Sequence, residues 1–404
     1  MTTAESVGIL RVPAWRGGFG RLWAAAVVSK FGDSLRTAAM PLLAVSLTRD
    51  PLLIAAVTAC GFLPWLLFGL LGGAVADRVD QRRAMWAVDL VRGALMAAFA
   101  VAVALGHASI ALLIVLAFAL TTLQTLFDNA ATSLLPSLVP AEALASANAR
   151  LMTGQQVAGG FLAAPLVPAL LLAGAAVPYA ADAATYVLAA LLVASLRVAA
   201  PERAARAAGS TLRVEIAEGL RFLWRDRAQR GLCVATTLTN VGVGALIATL
   251  VLHVTGWLGA GEGGYAAAIT AYGAGSVLGG LLARRIAERT GRIRAVFVAG
   301  AVQAGALAVM GSVRELWVTT VALALFGLMG MVWNVNQATL MQERAPEGML
   351  GRISAAFRTL AIGGAPLGAL LGGAVAAAWG ANTPALLAAG LFTVAVASLA
   401  RQIN

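Results

Sequence analysis

Long apolar runs, each bounded by charged residues, glycine or proline, follow one another along most of the chain. A helix that crosses the hydrocarbon core of a membrane needs about 20 predominantly apolar residues. The pattern predicts twelve such helices near residues 20–46, 52–76, 84–105, 109–135, 143–173, 178–198, 231–256, 262–283, 295–312, 316–342, 349–378 and 383–400. A polar, arginine-rich stretch separates the sixth run from the seventh. We therefore expect residues 1–198 to form an N-terminal six-helix bundle, 199–230 a cytoplasmic linker, and 231–404 a C-terminal six-helix bundle.

The composition places the chain in a membrane and leaves little room for anything else. Of its 404 residues, 60% are hydrophobic and only 12% are charged, whereas a soluble domain carries about 25% charged residues. The two cysteines, Cys60 and Cys233, are too few for a disulfide-rich secreted domain. Twelve spans with short loops use most of the chain, so we expect no large extramembrane domain.

The linker has its own helical pattern. Leucine and isoleucine recur at positions 212, 216, 220 and 223, while charged residues occupy positions 213, 218, 221 and 225. This spacing predicts an amphipathic helix, which lies either at the membrane interface or in water as a connector.

The 29 basic residues outnumber the 18 acidic ones, giving a net charge of +11, but they lie between the apolar runs rather than in one patch. We therefore expect no nucleic-acid partner. Cytoplasmic loops retain arginine and lysine, and only Arg49 and Arg314 fall in loops on the side opposite the termini. This distribution predicts a multi-pass protein with both termini in the cytoplasm, and we expect its membrane to be the bacterial inner membrane.

A repeat relates the two halves. Four residues near the end of the second run recur 207 positions later, after the eighth: Gly72, Gly73, Arg78 and Arg82 match Gly279, Gly280, Arg285 and Arg289. Parallel halves of this kind occur in transporters whose two bundles are related by a pseudo-two-fold axis. The repeat predicts an all-α membrane protein with that symmetry.

The segment from Gly73 to Arg83, GAVADRVDQRR, resembles the signature between spans 2 and 3 of the major facilitator superfamily, G-x-L-a-D-r-x-G-r-k. Asp80 and Gln81 depart from it. Three other segments resemble its efflux branch, which includes macrolide exporters and the enterobactin exporter: FGDS at 31–34, PSLVP at 136–140 with Ala147-Asn148, and EGLRFL at 218–223.

The resemblance implies a cytoplasmic gate made of Gly73, Asp77, Arg78 and Arg82. In the family, Asp77 would meet the start of span 11 near Gly351 and Arg352, and Asp128 would join the same ion-pair network. The alternative is that these arginines only set the topology.

Charges inside the predicted spans are costly and persist only with a partner or a task. Asp33 is the most informative, because Lys30 and Arg36 lie three residues to either side and share its helix face. Burial disfavours a charged carboxylate whereas a nearby cation favours it, so Asp33 with Arg36, and Asp128 in span 4, are candidates for proton coupling. A static buried ion pair is the alternative for Asp33. We interpret Asp89 and Arg92 in span 3 as a structural pair.

Polar and aromatic residues in four other spans outline a possible substrate cavity. Amides and aromatic rings together suit large amphiphilic ligands, although each residue alone is also typical of helix packing. The candidates are Gln124, Phe127, Asn129, Gln155, Asn240, Trp333, Asn334 and Gln337. Gln156 and Asn336 lie beside them.

The sequence lacks a clustered catalytic set, metal-ligand spacing and a phosphate-binding G-x-x-x-x-G-K-[ST] motif. We therefore expect no cofactor, no metal and no enzyme activity. The leading hypothesis is a monomeric, proton-coupled exporter of an amphiphilic small molecule, surrounded by membrane lipids and working by alternating access. An importer or lysophospholipid flippase of the same fold is the first alternative, and a membrane-embedded enzyme or sensor the second.

Overall fold

The computed structural model describes residues 18–76, 80–140, 143–196, 212–344, 346 and 350–403. Most of these residues are in helices, and none of them is in a strand. The α-helices are α1 (Gly18–Leu47), α2 (Pro51–Ala76), α3 (Gln81–Ala104), α4 (Ile110–Leu134), α5 (Leu144–Val157), α6 (Val167–Ala173), α7 (Val177–Ala194), α8 (Leu212–Arg225), α9 (Arg227–Val251), α10 (Gly261–Thr290), α11 (Arg292–Ser312), α12 (Leu316–Arg344), α13 (Leu350–Trp379) and α14 (Thr383–Ile403).

A helical segment stands at each of the twelve predicted spans. Ten segments in the described ranges are long and apolar enough to cross a membrane, and α14 holds a shorter apolar stretch, Thr383–Leu399. The remaining segment, α1, departs from that apolar composition because it carries Lys30, Asp33 and Arg36. The predicted ends are less accurate than the spans themselves, since α10 continues to Thr290, seven residues beyond its predicted end.

The fifth span is interrupted, whereas the eleventh is not. After α5 the chain passes through a π-helical turn, Ala158–Leu162, and a 3₁₀ turn, Ala164–Leu166, before α6 begins. Pro165 and Pro168 lack the N–H that a continuous α-helix would need there. In α13, Pro366 is accommodated within a single helix.

The helix pairing of the first half is repeated in the second. In the first half, α2 packs on α4, α3 packs on α7, and α1 packs on α7. The corresponding pairs in the second half are α10 with α12, α11 with α14, and α9 with α14. The α5–α6 segment lies against α1, and α13 lies against α9. The chain therefore forms two six-helix bundles with the same internal arrangement, related by a pseudo-two-fold axis.

The two bundles meet through α2, which packs on α13 and α9, and through α10, which packs on the interrupted segment between α5 and α6. The end of the bundles where α1 ends and α2 begins is here called the far end. Part of the contact of α2 with α13 and α9 lies near this end. There Ala55, Ala59, Ala248 and Ala369 form a small buried cluster. Small side chains let the backbones of neighbouring membrane helices approach closely.

The predicted linker helix is α8, and it packs on α13 and α9. Leu223 is fully buried, with Leu220 and Phe222 partly buried beside it, while Trp224 is exposed. The described part of the apolar face of α8 is therefore covered by the C-terminal bundle.

Candidate functional site

Asp33 is the centre of a buried ion network in the N-terminal bundle. Its Oδ1 atom accepts hydrogen bonds from the Arg92 guanidinium at 2.7 Å, the Arg36 guanidinium at 3.1 Å and the Tyr186 hydroxyl. These donors come from α3, α1 and α7, so the carboxylate joins three helices. Three donors on one oxygen stabilise the ionised form of Asp33.

Arg92 is completely buried and links Asp33 to a second carboxylate. Its guanidinium donates to Asp89 at 3.1 Å and to the Tyr186 hydroxyl at 2.7 Å. The predicted Asp89–Arg92 pair is therefore present, but it is part of the Asp33 network rather than separate from it. The sequence spacing could not show this, because Arg92 lies 59 residues from Asp33.

α7 contributes two residues that the sequence reasoning missed, Asp182 and Tyr186. The Oδ2 atom of Asp182 is 3.3 Å from Nε of Arg36, so this guanidinium lies between Asp33 and Asp182. Gly32 lets α1 approach α7 here, because a Cβ at this position would collide with Thr185 and Asp182. An available signal was the four-residue spacing of Asp182 and Tyr186, which puts both on one helix face.

Asp128 occupies the neighbouring helix α4, outside this hydrogen-bonded network. It accepts a hydrogen bond from Gln124, one turn earlier, at 2.8 Å. It also lies within electrostatic range of Lys30, Asp33 and Arg92.

A cavity of about 420 Å³ lies between the two bundles. It extends from the middle of α1 toward the far end. Its walls are formed by α1, α2, α4, the interrupted segment from α5 to α6, α9, α10 and α12. Most of the lining is apolar or aromatic, including Phe62, Tyr265, Tyr272 and Phe326. Its polar and charged lining is Lys30, Ser34, Arg36, Thr37, Thr58, Thr121 and Gln156, besides the tyrosine hydroxyls.

None of the eight candidate substrate-binding residues lines this cavity in the described structure. Phe127 and Trp333 pack inside the cores of their bundles. Asn129 and Asn240 donate to backbone carbonyls of their own helices, at Thr125 and Thr236. The others are half-buried (Gln124, Gln155), buried (Gln337) or exposed (Asn334) outside the cavity wall.

The predicted gate lies mostly outside the described residues. Asp77 and Arg78 are not described, and the surroundings of Gly73 and Arg352 are not described either. Arg82 donates to the backbone carbonyl of Ala194 at the end of α7, within its own bundle. Asp80, which replaces the glycine of the signature, caps α3 by accepting a hydrogen bond from the backbone N–H of Arg83 at 3.0 Å.

Two repeated six-helix bundles around a shared, mostly apolar cavity define a membrane transporter of the major facilitator superfamily. The chain belongs to the family described as transmembrane secretion effector, which its residues 12–404 match.

The chain is also similar to known efflux proteins. It is 28% identical over 381 residues to the multidrug efflux pump Tap of Mycobacterium bovis, covering 90% of this chain and 87% of Tap. It is 22% identical over 397 residues to macrolide efflux protein A of Streptococcus pyogenes, covering 96% of each. A crystal structure of a mutant of the nucleoside transporter NupG superposes with a TM-score of 0.82 at 10% identity, covering 96% of this chain and all of that one, and shows the shared fold.

Proposed function

We propose that this protein is a secondary active exporter of amphiphilic small molecules that works by alternating access. The observation that carries the proposal is the cavity between the two bundles, because helices of both halves form its walls. Rocking of the bundles about such a cavity would expose it to one side of the membrane at a time. Its apolar and aromatic walls with a few hydroxyl and amide groups suit an amphiphile. The molecule passes through unchanged, so the protein is not an enzyme.

Two relatives support the direction of transport. Tap is a multidrug efflux pump, and macrolide efflux protein A is also named for export. An importer or lysophospholipid flippase remains the alternative within the fold, and a membrane-embedded enzyme or sensor the alternative outside it.

The direction can be tested in inverted membrane vesicles, where an exporter accumulates its substrate. We expect wild-type vesicles to accumulate at least one compound from a panel of fluorescent macrolides, dyes and other amphiphiles when a proton gradient is imposed. A protonophore should abolish the accumulation, and vesicles without the protein should show none. Accumulation only in right-side-out vesicles would replace the exporter with an importer.

The balance of charges in the ion network supports proton coupling. The contacts join three carboxylates, Asp33, Asp89 and Asp182, to two guanidinium groups, Arg36 and Arg92. One carboxylate is in excess among these contacts, and the excess remains when Lys30 and Asp128, which lie within electrostatic range of Asp33, are both counted. A buried charge without a counter-ion is strongly disfavoured. A neutral network therefore holds one proton, and loss of that proton would change the pairing of Arg36, which also lines the cavity. We assign coupling to the network centred on Asp33 and Arg36, with Asp128 beside it. The three donors that keep Asp33 ionised leave the proton of the network to Asp89 or Asp182.

Asp33→Asn tests the coupling. The variant should retain substrate binding but lose accumulation driven by a proton gradient, because the network then has equal numbers of acids and bases and no proton to exchange. Binding measured across pH provides the control for folding. Full gradient-driven accumulation by Asp33→Asn would reject Asp33, and Asp128→Asn would be the next variant to measure.

The gate and the placement in the cell complete the proposal. Gly73, Asp77, Arg78 and Arg82 form a breakable contact at the cytoplasmic end, with both termini on the same side of the bacterial inner membrane. Residues 1–198 and 231–404 move as the two bundles, linked by 199–230. The protein acts as a monomer among membrane lipids and has no nucleic-acid partner.

The gate is tested by Asp77→Asn, which should reduce transport and change the accessibility of the cavity while leaving membrane insertion intact. Unchanged accessibility with wild-type transport would reject the gate.

A further inference from the structure

Lys30 is the only lysine of the chain, and it lies in the middle of α1 with its side chain exposed at the cavity wall. In the described structure its ammonium group makes no hydrogen bond and has no acidic oxygen within ion-pair distance. Asp33 is three residues away but is held by Arg36, Arg92 and Tyr186. Asp33 and Asp128 act on this ammonium only at longer range, without a direct ion pair. A charged group inside a membrane span without a direct ion pair is costly and indicates a function.

The other cation at the cavity wall is already neutralised. Arg36 lies between Asp33 and Asp182, at 3.1 and 3.3 Å. Among the described residues that line the cavity there is no aspartate or glutamate. Lys30 is therefore the cation of the described cavity wall that makes no direct ion pair, and its three N–H donors are available to a ligand.

The surroundings of Lys30 define the rest of the ligand. A Cβ placed on Gly159 would be 3.3 Å from Cγ of Lys30, so the lysine stem runs closely along the π-helical turn after α5. Gln156, one turn earlier in α5, supplies an amide to the same cavity, and the aromatic residues Phe62, Tyr272 and Phe326 supply flat apolar surface. A single cationic donor beside an apolar chamber is complementary to an anionic group attached to an aromatic or aliphatic body.

We propose that the cavity binds amphiphiles that carry one anionic group, a carboxylate, sulfonate or phosphate, and that Lys30 binds this group. The inference deepens the proposed export function and rests on it for the direction of movement only. Amphiphilic cations are disfavoured, because they would meet Lys30 and Arg36 with no carboxylate at the cavity wall to pair with them.

Three matched fluorescent probes test the charge preference: dansylglycine, which is anionic, dansylglycinamide, which is neutral, and monodansylethylenediamine, which is cationic. Their affinities are measured for the purified full chain in nanodiscs of uncharged lipid, with empty nanodiscs subtracted. We expect the wild type to bind the anionic probe at least about tenfold more tightly than the cationic one, which corresponds to about 1.4 kcal/mol. Lys30→Met should lose this preference while binding the neutral probe as the wild type does, and Lys30→Arg should retain it.

Equal affinities of the wild type for the three probes, no binding of any probe, or a tighter cationic probe would overturn the proposal. So would an unchanged anion preference in Lys30→Met. Thermal unfolding of each variant shows whether it is folded, and Lys30→Arg keeps the test informative if Lys30→Met is not. These binding measurements do not depend on transport, so failure of the vesicle assay with an intact anion preference would reject export alone.

Discussion

Gly373 lies where the two bundles touch at the far end, and Gly373→Ala would disturb that contact. A Cβ on Gly373 would be 2.5 Å from Cβ of Ala55 and 3.0 Å from the backbone oxygen of Pro51 in α2. Ordinary contacts of a Cβ begin near 3.4 Å, so α13 and α2 must separate by roughly 1 Å. Neither neighbour is a flexible side chain that can move aside.

We expect the added methyl group to destabilise this arrangement of the bundles by about 1–3 kcal/mol, the usual cost of overpacking. That energy shifts a two-state equilibrium by about 5–150-fold. The population should move toward a conformation in which the far end is open. Transport should slow, because the cycle needs both conformations, while the separate bundles remain folded.

The accessibility of Thr58→Cys, a cysteine placed in the cavity wall, reports the shift. In a Cys60→Ser background, a membrane-impermeant maleimide should label it faster from the far side in Gly373→Ala than in the parent. Gly305→Ala is the matched control, since a Cβ on Gly305 has no neighbour within 4 Å. Labelling rates equal to those of this control, with normal transport, would show that the α2–α13 contact does not limit opening.

Three further changes test the packing and the ion network by thermal unfolding in detergent. Arg92→Leu should destabilise the N-terminal bundle by about 3–5 kcal/mol, because it leaves buried carboxylates such as Asp33 without their donor; a melting temperature equal to that of the wild type would contradict the network. Leu223→Ala should cost about 2–5 kcal/mol because this side chain of α8 is fully buried against the C-terminal bundle, whereas Trp224→Ala on the exposed face should cost much less. Similar effects of the two changes would mean that α8 is not docked. Phe127→Ala should cost about 3–5 kcal/mol through lost core packing and leave the substrate range unchanged, because the side chain is buried in the N-terminal bundle. A stable variant with an altered substrate range would instead support the prediction that Phe127 binds substrate.

The sequence alone determined the spans, because twenty-residue apolar runs have few other stable environments. It also determined the pairing of the halves, since a repeat at a fixed offset places equivalent glycines in equivalent helices. The sequence also identified the charges of α1, because Lys30, Asp33 and Arg36 interrupt an otherwise apolar run.

The partners of those charges were decided only by the tertiary structure. Arg92 and Tyr186 reach Asp33 from 59 and 153 residues away, and no spacing rule connects residues on different helices. The residues that line the cavity could not be predicted from the sequence for the same reason, because they come from several different helices. Amides and aromatic rings within a span pack inside a bundle or face a cavity according to helix rotation, which the packing of neighbouring helices sets. Phe127 is therefore buried in a core, while Gln156 lines the cavity.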